Sequence, residues 1–407
     1  MFQPWMPCTR FTQAIGLTLP RACFQLMAAS HTLSIVVWAS EFWMTDILEL
    51  GYRIAHFRPE HETQVVNLLG ELWRCDSQTR SSLFRWKYLE NPFSDGPIGV
   101  VALHDDKVVG FRGYFANRFV VGSQVTGQGV LQPGDLYVDP GHRNRGLSVA
   151  MGQHAMEYDT SRFRLFLNLS CSKASLRGNL ALGFQPLAAK VRLTRHGLNP
   201  LDWWRSRKGE TRRPLEQSRI NFGQFGKVQV ADAPLPAAMA SIAANQRHAE
   251  AALHLQQDHS FFAWRYRNPA RKYAFYFLAE DNCITGYVAV HVSANNVLGR
   301  ILDYGECREW AVREILTYII RSRHFPALSI VSYGADEQPR QLFAELGFST
   351  THPLKKLTAT ASAGQAGVPA LVRPIRQSFS ERDLMIDAVD VRRVDSWRLK
   401  PICCDSA

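Results

Sequence analysis

Long apolar runs are missing from this 407-residue chain. The longest near its start, Leu33–Ala39, falls far short of the roughly 20 residues that span a bilayer, so no membrane span is expected. Pro4, Pro7, Pro20, Arg10 and Arg21 are scattered ahead of it, which is not the layout of a signal peptide. Cysteine is scarce as well. Of eight, Cys403 and Cys404 are adjacent and the others lie far apart without metal spacing. That excludes a disulfide scaffold or a zinc module, so no metal and a reduced, cytoplasmic setting are expected. Acidic residues are in deficit, 36 against 47 Lys and Arg, leaving a formal charge of +11. The excess points to an anionic partner: phosphate, nucleotide, nucleic acid or a membrane surface. No reader motif or interleaved aromatic platform accompanies the arginines, so no specific nucleic acid is expected. With 46% hydrophobic and 20% charged residues the chain is ordinary globular material, and its length suits two domains of roughly 100–200 residues each.

Residues 1–50 read as a poorly ordered extension, or as sequence ahead of a true start at Met44. From there the text becomes conventional, with Tyr52–Ala55 as a strand and Glu60–Trp73 as an amphipathic helix. An internal repeat follows. Trp86-Lys87-Tyr88-Leu89-Glu90-Asn91-Pro92 returns 178 residues later as Trp264-Arg265-Tyr266-Arg267-Asn268-Pro269, one residue shorter. Each copy continues into alternating apolar strands broken by a turn, Ile98–Leu103 and Val108–Phe115, then Ala274–Ala279 and Ile284–Val290. Each closes on Leu-Gly-Phe, at Leu182–Phe184 and Leu346–Phe348. Two copies of one domain are therefore expected at 51–200 and 221–357. Between them lies a basic linker at 201–220, where Trp203–Arg219 holds six basic and two acidic residues, and a tail occupies 358–407. Antiparallel hairpins followed by alternating strand and helix make the class mixed α/β, a helix-flanked sheet.

The chemistry concentrates in one loop. Asp135–Val138 reads as a strand, Asp139–Ser148 as a basic glycine-containing loop, and Val149–Tyr158 as a helix. Free N–H groups at a helix N-terminus, a favourable dipole and a glycine that lets backbone come close are what holding a pyrophosphate requires. Arg143 and Arg145 add charge. A solvated basic loop is the competing reading.

Arg143-x-x-Gly146-x-Ser148, after Val138-Asp139-Pro140, resembles the pyrophosphate loop of the GNAT superfamily of acetyltransferases. Downstream, Ser172-x-x-Ser175-x-x-x-Asn179 stands where the superfamily usually carries Asn, Ala and Tyr ahead of Gly-Phe. The resemblance covers about residues 52–195 well and 221–350 weakly. It implies two tandem GNAT-like domains, each a twisted, mostly antiparallel sheet with a central parallel pair, flanked by helices. It implies acetyl-CoA as co-substrate, with Leu136, Tyr137 and Val138 offering backbone groups to the pantetheine arm. Splaying of Leu165–Leu169 from that strand would make the slot. Arg143, Asn144, Arg145, Gly146, Leu147 and Ser148 would hold the pyrophosphate, with Asn179 at the family's tyrosine position beside the cofactor. Asp135 is the expected base, a solvent-facing strand carboxylate being the alternative. Ser175 or water replaces the tyrosine acid, and His142 contributes charge beside the phosphates.

In the second copy the matching strand, Ile301–Tyr304, runs into Gly305-Glu306-Cys307-Arg308-Glu309-Trp310, without Arg-x-x-Gly. Phe343 takes the tyrosine position, and two glutamates repel a pyrophosphate. This copy is expected to bind no cofactor and to support the first or wall its acceptor groove. The repeated Trp-Lys/Arg-Tyr reads as a helix end stopped by Asn-Pro, with an aromatic acceptor wall as the alternative. In the tail, Ala359–Gly367 reads as flexible, and Phe379, Leu384, Ile386, Val389, Val391 and Val394 as strand material for the second domain. The expected activity is acyl-CoA-dependent N-acyl transfer, most simply acetyl transfer, to a small-molecule or sugar amine by direct attack in a ternary complex. The alternative is a non-catalytic CoA-binding or scaffold protein. Aminoacyl transfer from tRNA is disfavoured by retention of the loop.

Overall fold

A computed structural model describes residues 49–124, 127–158, 161–196, 227–246, 252–294, 296–333, 337–350 and 368–404. Residues 1–48 of the extension, the whole of the linker and Ala359–Gly367 lie outside them. Among the described residues no helix is long and apolar enough to cross a membrane.

The front copy runs β1 (Tyr52–His56), α1 (Glu62–Trp73), α2 (Ser77–Phe84), β2 (Ile98–His104), β3 (Lys107–Val121), β4 (Gln128–Val138), α3 (Leu147–His154), β5 (Phe163–Asn168), α4 (Lys173–Ala181), β6 (Gln185–Ala188) and β7 (Val191–His196). The back copy runs β8 (Lys227–Ala231), α5 (Pro236–Asn245), β9 (Leu253–Leu255), α6 (His259–Arg265), β10 (Lys272–Glu280), β11 (Cys283–Val292), β12 (Leu298–Glu306), α7 (Ala311–Ser322), β13 (Ala327–Ser332) and α8 (Glu337–Glu345), and the tail adds β14 (Ala370–Pro374). The helix expected at Val149–Tyr158 begins two residues earlier and tightens to a 3₁₀ turn at Ala155–Glu157.

The front sheet is ordered β1-β2-β3-β4-β5-β14-β6 and the back sheet β8-β10-β11-β12-β13-β7. Along each of these orders the antiparallel succession is broken by one parallel pair, β4 with β5 and β12 with β13. The repeat legible in the sequence is thus a repeat of topology. The strand beyond each parallel pair is exchanged: β7 leaves the front copy to pair with β13, and β14 returns from the tail to lie between β5 and β6. That corrects the expectation for the tail. Its Ala-Leu-Val-Arg-Pro segment is buried on both sides, as a central strand must be, and completes the front sheet. Trp397–Arg398 joins the same sheet through β9.

The copies meet at the repeated motif. Trp86 stacks on Trp264 with ring centroids 5.4 Å apart. Each indole N–H donates to the other's backbone carbonyl, at 2.9 and 2.7 Å. Such reciprocity requires a local two-fold relation. The two tryptophans are buried in one core with Phe115, Phe261 and the tail's Trp397. A second core packs α7 on the back sheet through Ala311, Val312, Ile315, Leu316 and Ile319, one helical stripe. A third packs α1 and α2 on the front sheet through Val65, Leu69, Phe84, Leu103 and Phe111.

Candidate active site

β4 and β5 are in register only at Gly129–Leu131 and Phe163–Phe166, and no pairing continues beyond Leu131. The rest of β4 keeps its antiparallel bonds to β3 but faces an open slot on the β5 side. Leu136, Tyr137 and Val138 lie half-buried on that edge. The strand ends in a 3₁₀ turn at Pro140–His142, capped by the Asp139 carboxylate, which accepts from Gly141 N–H at 2.9 Å. Gly146 is the N-cap of α3 at φ +75°, where a Cβ is strained. Among the described residues, none of the backbone N–H groups from Arg143 to Ser148 donates to a protein acceptor. Six amides at a helix start, held by glycine and left without partners, form an anion cradle. Arg143 donates from Nε to Val138 O at 2.9 Å and stacks on Tyr137. Arg145 donates to Tyr52 Oη at 2.5 Å, and the same hydroxyl shares a 2.8 Å hydrogen bond with His142 Nδ1. His142 is therefore tied into the loop's support.

Asp135 sits one turn of strand below the loop. It is the bulge residue of β4, at φ +31°, and is buried rather than solvent-facing. Its Oδ2 accepts from Lys87 Nζ and from Tyr88 Oη, both at 2.6 Å, and its Oδ1 from Trp73 Nε1 at 3.1 Å. Gly113 opposite makes the room, since a Cβ there would lie 2.1 Å from the Tyr88 hydroxyl. Burial pushes the Asp135 carboxyl up. The Lys87 ammonium and the three donated hydrogen bonds outweigh it and hold the group below its usual range. The grip ties α1 and the end of α2 to the β4 bulge through Trp73, Lys87 and Tyr88. Lys87 and Tyr88 reach it because the end of α2 widens into a π-turn at Arg85–Leu89. The repeated motif packs inward: its tryptophans close the seam between copies, and Lys87 and Tyr88 of the front copy grip Asp135.

Ser175 and Asn179 are both held by hydrogen bonds within the protein. Ser172 and Ser175 form a reciprocal capping box at the start of α4, and the Ser175 hydroxyl is engaged there. Asn179 is buried; its Oδ1 accepts from Arg112 Nη2 at 2.9 Å and its Nδ2 donates to Ser175 O at 2.9 Å. Both amide atoms are thus engaged within the protein. Arg112 was missed by sequence reasoning, because a strand arginine ordinarily faces solvent. It is 4% exposed and also donates to Ser148 O at 3.3 Å, clamping the first turn of α3 to α4.

In the back copy the loop from β12 to α7 has four residues, Cys307–Trp310, against eight from Asp139 to Gly146. Trp310 is the helix N-cap at φ +74°, the conformation Gly146 supplies in the front copy. There the α7 amides have an internal anion: Glu306 Oε2 accepts from Val312 N–H at 2.8 Å. Burial raises the pKa of that carboxyl. A cavity of about 760 Å³ survives beside it, lined by Tyr304, Glu306, Trp310, Tyr333 and Arg398. Phe343, at the tyrosine position, is core.

Residues 65–176 match the family model described as acetyltransferase (GNAT) family. No curated protein matches the chain in sequence. Among solved structures, a GCN5-related N-acetyltransferase from Anabaena variabilis ATCC 29413 superposes with a TM-score of 0.53 at 13% identity, covering 80% of this chain and 73% of that one. A conserved protein of unknown function from Enterococcus faecalis V583 gives 0.53 at 12% identity over 80% and 73%. At these identities the likeness is one of fold. The amide-lined loop, the splayed strand and the Asp135 cluster all lie within the matched segment, which makes residues 65–176 a domain of the GNAT acetyltransferase family.

Proposed function

We propose that the chain is an acyl-CoA-dependent N-acyltransferase, acetyl-CoA being the simplest donor and a small-molecule or sugar amine the acceptor, with the front copy active. The observation that carries the reading is the run of six partnerless amides from Arg143 to Ser148, opening directly onto a strand edge that β5 abandons at Leu131. The cradle suits a pyrophosphate and the edge an extended pantetheine, whose amides would extend the β4 ladder through Leu136–Val138. The acyl group then comes to rest near the β4 bulge. A neutral amine entering from the α1–α2 side attacks the thioester carbonyl, the C–S bond breaks, and the amine's proton ends on the thiol of coenzyme A or in water. Asp135, Lys87, Tyr88 and Trp73 hold the wall against which the amine is oriented, an entropic contribution. The back copy, its helix start occupied by Glu306, supports the front one and takes no coenzyme.

A second reading, a CoA-binding protein without turnover, is favoured by the commitment of Asp135, Ser175 and Asn179 to structural hydrogen bonds. Release of free thiol from acetyl-CoA with a panel of amines separates the two. Amine-dependent release supports the transferase, and binding without release under every amine supports the silent binder.

A further inference from the structure

On the α3 face of the front sheet, at the end of α3 away from the loop, three metal-binding side chains converge. His56 ends β1, His154 ends α3, and Glu157 follows in the 3₁₀ turn. One ligand atom from each lies within 4.8 Å of the other two. The imidazole rings have centroids 4.4 Å apart, and His154 Nδ1 is 3.4 Å from Glu157 Oε2. Nδ1 of His56 is buried without a hydrogen-bond partner, a cost that native interiors seldom leave unmet.

The surroundings also suit a cation. A cleft of about 520 Å³ lined by His56 and His154 gives an entry path. Its two arginines are matched, Arg53 by Asp106 at 3.2 Å and Arg58 by Glu60 at 3.8 Å. The carbonyl end of α3 favours positive charge. Gln377 Nε2 donates to Glu157 Oε1 at 3.3 Å, and the Tyr158 ring packs on His56. Both would orient ligands from outside the coordination sphere.

We propose that His56, His154 and Glu157 form a zinc-class divalent metal site that pins β1 to the end of α3. Two imidazole nitrogens and one carboxylate oxygen are a donor set for Zn²⁺ with a fourth position left to water; calcium and magnesium prefer oxygen-only sets. The site lies on the sheet face opposite Asp135, so its expected effect is on stability, and it stands independently of the acyltransferase reading. His154 and Glu157 are three residues apart, but His56 lies 98 residues before His154, and only the fold brings the set together.

The test uses the full chain, stripped with a chelator and titrated with zinc sulfate by calorimetry, with circular dichroism as the check on folding. One Zn²⁺ per chain is expected, with a rise in thermal midpoint and X-ray absorption showing nitrogen scatterers at roughly 2.0–2.1 Å. Glu157→Gln, an exposed change, should weaken binding at least about tenfold, and His56→Gln/His154→Gln should abolish it. Absence of zinc uptake by the wild type overturns the proposal. So does undiminished stoichiometry in the double variant with sulfur scatterers, which would assign the metal to exposed thiols such as Cys283 and Cys307.

Discussion

Lys87→Met removes the cation from beneath Asp135 while keeping most of the side chain's length and apolar bulk. Both partners are buried, their side chains retaining 6% and 10% of their exposure. Removing one partner of a buried pair costs about 3–5 kcal/mol, because the other charge is left uncompensated. Two neutral donors remain, Tyr88 Oη and Trp73 Nε1, which place the expected loss at the lower end, about 3 kcal/mol. The pH dependence fixes the cause. In the wild type the folded Asp135 pKa lies below the unfolded value of about 3.9, so its contribution is present above that value and is lost as pH falls through the folded pKa. Without Lys87, burial dominates and the folded pKa rises above the unfolded one. Ionised Asp135 then destabilises the fold at neutral pH, and acidification through the raised pKa relieves the penalty. Urea unfolding at pH 7.5 and pH 5 should show the gap between variant and wild type narrowing at the lower pH. Lys87→Met/Asp135→Asn should recover part of the loss at pH 7.5. A single variant within about 0.5 kcal/mol of wild type at pH 7.5, or an equal deficit at both pH values, would refute the buried pair.

Other consequences follow from the exchanged strands and the seam. Residues 51–200 expressed alone lack β14 and carry β7 without its partner β13, leaving an open edge beside β5. That fragment should aggregate or show no cooperative melt, whereas a chain ending at Cys404 should melt cooperatively; a cooperative melt of the fragment contradicts the exchange. Trp264→Ala removes the stacked indole and the hydrogen bond it donates to the Trp86 carbonyl, an expected loss of about 3–5 kcal/mol in urea unfolding. A loss under about 1 kcal/mol would mean that the seam is not tightly packed.

The sequence carried the repeat, the strands and the loop, because each is a local pattern: alternation, a turn, a helix start with glycine at φ +75°. The exchange of β7 and β14 was not legible. Neither Val191–His196 nor Ala370–Pro374 was read as a strand, and their apolar residues do not say which of two like sheets they complete. Nor was the grip on Asp135. Lys87 reads as a surface residue of a helix until the π-turn swings it inward, and its partner lies 48 residues on. For Ser175 the sequence offered a hydroxyl near a cofactor loop, and the fold adds that Ser172-x-x-Ser175 is a capping pair at the start of α4. The front copy's amides and the back copy's Glu306 show the opposite case, in which a carboxylate against an open helix start is readable from residue type alone and is seen in the fold as a bond to Val312 N–H.

Calorimetric titration of acetyl-CoA into the wild-type chain and into Gly146→Glu tests the central claim most directly. The substitution places a carboxylate at the amide cradle and a side chain at φ +75°, so an affinity loss of about 100-fold or more is expected. The account predicts one site per chain in the wild type and none measurable in the variant. No heat from the wild type, or equal affinity in both, would contradict it.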